Sequence, residues 1–65
     1  MNATYNIAKH GLLAAAIAVS PSKREQDAFL RMLTQLEHDG NEPKMILSRM
    51  ASAIIDGIEY GNWPK

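Results

Sequence analysis

The sequence predicts an all-α fold of three short helices, at about residues 4–19, 22–39 and 43–60. They form a helical hairpin or three-helix unit that completes its core by homodimerisation. Turn-forming residues interrupt the chain at 20–22 and again at 39–43, and each segment between them has the length of a helix. No segment alternates with the two-residue period of a strand. The 65 residues suffice for a single domain, 1–65.

The first helix is predicted from Ala3 or Thr4 to Val19. Asn2 and Thr4 are both candidate N-caps. No polar residue occurs between Gly11 and Val19, and alanine is the commonest residue there. A helix that is apolar on every side is buried on more than one side, and small side chains let another helix approach closely. We therefore expect this helix to be contacted around most of its circumference.

The second helix begins with a capping box formed by Ser22 and Glu25, or alternatively with Ser20 as the cap and Pro21 as its first residue. Gly40 is the expected left-handed stop. The apolar positions follow the i, i+3, i+4, i+7 spacing of one helix face. They are Phe29, Met32, Leu33 and Leu36.

The third helix is predicted to begin with Asn41 as its cap and Pro43 in its first turn, and to reach about Tyr60. Its apolar residues span roughly 160° of the helical wheel. They are Ile46, Leu47, Met50, Ala51, Ala53, Ile54, Gly57 and Ile58. Gly57 marks either a close crossing of another helix or an early end, so the helix could stop at Gly57 or at Gly61.

Helices 1 and 3 together carry more apolar surface than a three-helix monomer can bury. Such a surplus predicts association, and a twofold homodimer is the commonest form for a small chain. The predicted dimer interface consists of Ala8, Gly11, Leu12, Ala15, Ala18, Ile54 and Ile58.

Four other residues are predicted to bind a larger protein. Leu30 lies on the flank of helix 2, and Met45 lies on the polar side of helix 3. Tyr60 and Trp63 follow near the end of helix 3, where aromatic residues either anchor an interface or close the edge of a core. The sequence leaves these two roles open.

Composition excludes several classes of function. Seven basic and seven acidic residues give zero net charge, which disfavours nucleic acid and anionic membranes as partners. The apolar run from Leu12 to Val19 is shorter than the about 20 residues that a membrane span needs. Cysteine is absent, which removes disulfides, thiolate zinc sites and thiol nucleophiles and favours a cytoplasmic location.

The sequence predicts no catalytic residue, no cofactor and no metal site. His10 and His38 are the only histidines, and neither has a second ligand at a metal-binding spacing. Asp56 and Glu59 are two carboxylates on a polar helix face, without the pocket that acid and base catalysis needs. The chain is therefore expected not to be an enzyme.

The predicted function is a small protein-interaction module, a regulator or inhibitor that docks on a larger protein of unknown identity through apolar helix faces. The alternative is a dimeric DNA-binding transcriptional regulator that uses helix 3. Lys44 and Arg49 lie on the exposed side of that helix, but Asp56 and Glu59 lie there too and would repel phosphate.

Overall fold

The computed structural model describes residues 3–65, which form three helices and, within that range, no strand. Helix α1 spans Ala3–Val19, α2 spans Lys23–His38 and α3 spans Pro43–Tyr60. The predicted all-α class is confirmed, and every predicted helix boundary lies within one residue of the observed one.

The helices run up, down and up. The side chain of Gln26, near the start of α2, donates a hydrogen bond of 3.1 Å to the carbonyl oxygen of Ile17, near the end of α1. Glu37, near the end of α2, contacts Tyr5 near the start of α1. Trp63, just beyond α3, lies beside Arg24 at the start of α2. Helix α2 is therefore antiparallel to both others, and α1 makes its most extensive contact with α3.

The core receives side chains from all three helices. Phe29 of α2 and Met50 of α3 are its largest fully buried side chains. Around them pack Tyr5, Ala16, Leu33, Ile46 and Ile54. The α3 members follow the i, i+4, i+8 spacing of one helix face, as the apolar pattern predicts.

The N-termini differ in detail from the predictions. Ser22 is the N-cap of α2 as the capping box requires, but its hydroxyl donates to the Glu25 carboxylate and not to a backbone amide. Ser20 does not cap α2, because its hydroxyl donates to the carbonyl oxygen of Ala16 at the end of α1 (2.5 Å). Thr4 lies inside α1 and is not its cap, and Asn2 lies outside the described residues.

Gly40 ends α2 as predicted, with a left-handed φ of 76°. Its amide donates to the carbonyl of Glu37, and the amide of Asn41 donates to that of Leu36, which is the Schellman pattern. The Asn41 side chain donates to the same Leu36 oxygen at 3.0 Å. The prediction that Asn41 caps α3 is therefore wrong, because its amide is used at the end of α2, and Glu42 is the N-cap of α3.

The third helix continues through Gly57 and ends at Tyr60. Gly61 adopts a left-handed φ of 66°, and its amide donates to the carbonyl of Gly57 at 2.9 Å. The atoms nearest to a Cβ at Gly57 do not belong to another helix. The bare face of Gly57 is covered by the indole of Trp63, from the segment that follows the helix.

Candidate functional site

A second apolar stripe runs beside the core stripe of α3. It consists of Leu47, Ala51, Ile55 and Ile58, at i, i+4, i+8 and i+11. Ile55 is 52% exposed and Ile58 is 60% exposed. The indole of Trp63 covers Gly57 and lies beside Arg24 of α2. On the helical wheel the second stripe lies on the other side of the core stripe, toward α1.

The corresponding border of α1 is also apolar. Tyr5 and Lys9 contact Glu37, so their border of α1 faces α2. The opposite border of α1 therefore faces α3. The residues there are Ala8, Ala15 and Val19, of which Val19 is 44% exposed. We call the surface formed by Ala8, Ala15, Val19, Ala51, Ile55 and Ile58 the α1/α3 face. These six side chains are apolar, and the polar residues Thr4 and Lys44 continue the two stripes toward the N-terminal end of each helix.

The structure places most of the predicted dimer-interface residues on or beside this face. Gly11, Ala15, Ala18 and Ile58 are exposed, and Ala8 and Leu12 are half-buried. Ile54 is only 8% exposed and packs in the chain's own core. It therefore offers little side-chain surface to another chain.

The four predicted partner-binding residues do not form one site. Leu30, Met45 and Tyr60 are 37%, 45% and 76% exposed, whereas Trp63 is half-buried against Gly57. Leu30 lies on α2, and Met45 and Tyr60 lie near opposite ends of α3, separated by about 22 Å along its axis. A single partner helix could not contact all four through one narrow stripe.

A polar cluster that the sequence did not predict joins α1 to α2. The Tyr5 hydroxyl donates to Oε2 of Glu37 at 2.6 Å, and Nζ of Lys9 donates to the same oxygen at 2.9 Å. The Lys9 ammonium also lies 5.2 Å from the centre of the Tyr5 ring. The signal in the sequence is the placement of Tyr5 and Lys9 one turn apart on a helix that has no polar residue from Gly11 to Val19.

We call the cluster of Tyr5, Lys9 and Glu37 the clamp, because its hydrogen bonds and charges hold α1 against α2. Burial, reinforced by the hydrogen bond to Glu37, raises the pKa of Tyr5 from 10.0 to about 12. The hydrogen bonds from Tyr5 and Lys9 lower the pKa of Glu37 below its ordinary 4.5. At neutral pH the phenol keeps its proton and the carboxylate stays ionised. Neither group is tuned toward the pKa near 7 that favours proton transfer.

Residues 3–65 contain no group of three or more His, Cys, Asp or Glu side chains that could hold a metal ion. His10 and His38 are both exposed. Within the same described range, no helix is both long enough and apolar enough to cross a bilayer.

Comparison of the chain with protein families, with curated proteins and with solved structures finds no match.

Proposed function

We propose that this chain is a small non-enzymatic, cytoplasmic protein-interaction module that forms a homodimer through the α1/α3 face and regulates or inhibits a larger protein by docking on it. The observation that carries the proposal is the exposure of Val19, Ile55 and Ile58 on one face whose polar residues, Thr4 and Lys44, lie at its N-terminal end. Contiguous apolar patches on small proteins mark association sites.

The shape of the face favours a second copy of the same chain. Its α1 half is shallow because it contains alanines such as Ala15, whereas its α3 half projects Ile55 and Ile58. In a twofold dimer both protomers use the same surface, and the second copy is rotated by 180° relative to the first. The isoleucines of one protomer would then lie over the alanines of its partner, which fills both halves at once.

The size of the chain supports the same conclusion. A domain of this length buries only about 60% of its unfolded surface when it folds alone, so association adds a large share to its core. A standard interface covers roughly 800 Å² per partner, which is a small part of the 4483 Å² surface. Tyr60, which is 76% exposed and lies outside the α1/α3 face, stays available for a larger protein.

The polar cluster supports a non-enzymatic role. The carboxylate of Glu37 is held by two donors, and the Tyr5 hydroxyl is held by that carboxylate. Both groups stabilise helix packing, and catalysis would require breaking these contacts. His10 and His38 are exposed, and neither belongs to this cluster.

Concentration dependence of stability tests this proposal. Because a homodimer unfolds to two chains, its urea midpoint must rise with protein concentration. We expect a clear rise across a hundredfold concentration range. A constant midpoint, with the mass of a monomer throughout, would refute dimerisation.

The DNA-binding alternative is favoured by one observation. The connection 39–42 between α2 and α3 has the length of a helix-turn-helix turn, and it is followed by the exposed Lys44 and Arg49. An electrophoretic mobility shift at low salt tests it, since basic side chains that line a groove bind any duplex there. The absence of a shift would remove this alternative.

A further inference from the structure

The segment 61–65 folds back over the groove between α2 and α3. A cleft of about 300 Å³ opens between this segment and α2, with Arg24, Arg31 and Lys65 on its walls beside Trp63. Beyond Arg31 and Lys65 the cleft continues into a second one of about 410 Å³.

The first cleft carries a local excess of positive charge in a chain with no net charge. Within residues 3–65, the ion pairs within 4.0 Å are Lys9 with Glu37 and Lys23 with Asp27. Arg24, Arg31 and Lys65 therefore have no carboxylate partner there. Glu25, the acidic residue of the lining, accepts a hydrogen bond from the Ser22 hydroxyl.

The spacing of the cations suits more than one anionic group. Arg24 and Arg31 lie seven residues apart on one edge of α2, which is about 10.5 Å along the helix axis. A guanidinium can bind a carboxylate with two parallel hydrogen bonds. Two carboxylates on one polypeptide segment can therefore be held together, whereas a single small anion reaches only one arginine.

The second cleft adds an apolar surface to this charged one. Met32, Leu36 and Pro64 line it, together with the polar Gln35. A phosphate ion or a nucleic acid backbone has no apolar group that could pack on such a surface. A peptide with leucine between its acidic residues has such a group.

We propose that this double cleft binds an acidic peptide segment of the partner protein, with carboxylates on Arg24, Arg31 and Lys65 and an apolar side chain against Met32 and Leu36. The inference rests on the proposed function, because it names the chemistry of the partner. Both clefts are lined by α2 and the segment 61–65, and no residue of the α1/α3 face lines either of them. A homodimer therefore leaves two clefts open and can bind bivalently.

Trp63 reports on binding directly, because it is the only tryptophan of the sequence and lines the first cleft. The probe is a blocked six-residue peptide that alternates glutamate with leucine, titrated at fixed low ionic strength. Its counterpart with glutamine in place of glutamate is the control. We expect a saturable change in Trp63 fluorescence with the acidic peptide and none with the control peptide.

Two double variants distinguish binding at this cleft from a general effect of the protein's positive charge on an acidic peptide. Arg24→Gln with Arg31→Gln should weaken binding of the acidic peptide by about tenfold or more, because both bidentate donors are lost. Lys44→Gln with Arg49→Gln removes the same charge from exposed positions of α3 and should change the dissociation constant by less than about twofold. Circular dichroism checks that both variants fold.

Three results would overturn the inference. They are equal weakening by the two double variants, no saturable response of the wild type to the acidic peptide, and inorganic phosphate binding as tightly as the peptide. The last result would identify a site for small anions. Peptide binding does not require dimerisation, so a monomer that binds the peptide would refute the dimer alone, and a dimer that does not bind would refute the cleft alone.

Discussion

The indole of Trp63 lies directly over the backbone of Gly57, where any larger residue would collide with it. A Cβ atom on Gly57 would overlap the ring carbons Cδ2, Cε3 and Cζ3 of Trp63. Helix α3 therefore accepts the propensity cost of an interior glycine, about 1 kcal/mol relative to alanine, so that the segment 61–65 can close over the core.

Gly57→Ala should destabilise the protein although alanine is the better helix former. Overpacking of this kind costs about 1 to 3 kcal/mol. Gly11→Ala is the matched control, because Gly11 is also inside a helix but a Cβ there meets nothing within 4 Å. It should stabilise by about 0.5 to 1 kcal/mol. Urea unfolding at one protein concentration measures both, and equal stabilisation by the two variants would disprove the contact.

Removing the indole should relieve the overlap. Trp63→Ala alone loses the packing on Gly57 and destabilises the fold. In the double variant with Gly57→Ala the added methyl group has space, so the total loss should be smaller than the sum of the single losses by about 0.5 kcal/mol or more. The free energies of unfolding of the four proteins give this coupling, and strict additivity would be the contrary result.

Glu37 should make stability depend on pH in the acid range. Its pKa lies below the ordinary 4.5 in the folded protein, so its contribution is complete above that value and is lost as the pH falls through the folded pKa. Glu37→Gln should therefore reduce the fall in melting temperature that acid pH causes. Glu59→Gln, at an exposed position of α3, should leave the profile close to wild type. Identical profiles for the two variants would contradict the clamp.

Tyr5 should make the stability depend on pH in the alkaline range, where stability falls as the pH rises. Its pKa is raised from 10.0 to about 12, so the stabilisation is complete below 10.0 and is lost as the pH rises toward 12. Tyr5→Phe removes this loss, at a cost of about 0.5 to 1.5 kcal/mol at neutral pH from the missing hydrogen bond. Tyr60→Phe is the control, since Tyr60 is 76% exposed. Thermal melts at several pH values distinguish the two.

Local signals predicted the helices well. The serines around Pro21, the left-handed Gly40 and the proline at the start of α3 all act within a few residues, so their effect can be read without knowledge of the tertiary structure. Asn41 shows where local reasoning fails. It stands between two helix ends, and only the geometry of the turn decides that its amide completes α2.

The candidate site was harder to predict because it depends on contacts distant in sequence. Tyr5 and Glu37 are 32 residues apart, and no periodicity brings them together. The sequence identified Trp63 as an anchor or an edge residue, but not the glycine against which it packs. Apolar surplus on helices 1 and 3 was readable from the wheels. The wheels could not predict that Ile54 is buried in the chain's own core while Ile58 is exposed, because the two residues lie only one turn apart.

The most direct test of the central proposal is solution mass by light scattering across a hundredfold dilution at fixed salt, for the wild type and two variants. Ile58→Glu places a charge in the α1/α3 face, and Met45→Glu places the same charge on the other flank of α3 at a comparable exposure. We expect the wild type and Met45→Glu to be dimers and Ile58→Glu to be a folded monomer. A wild type that is monomeric at every concentration, or an Ile58→Glu variant that remains dimeric, would contradict the proposal.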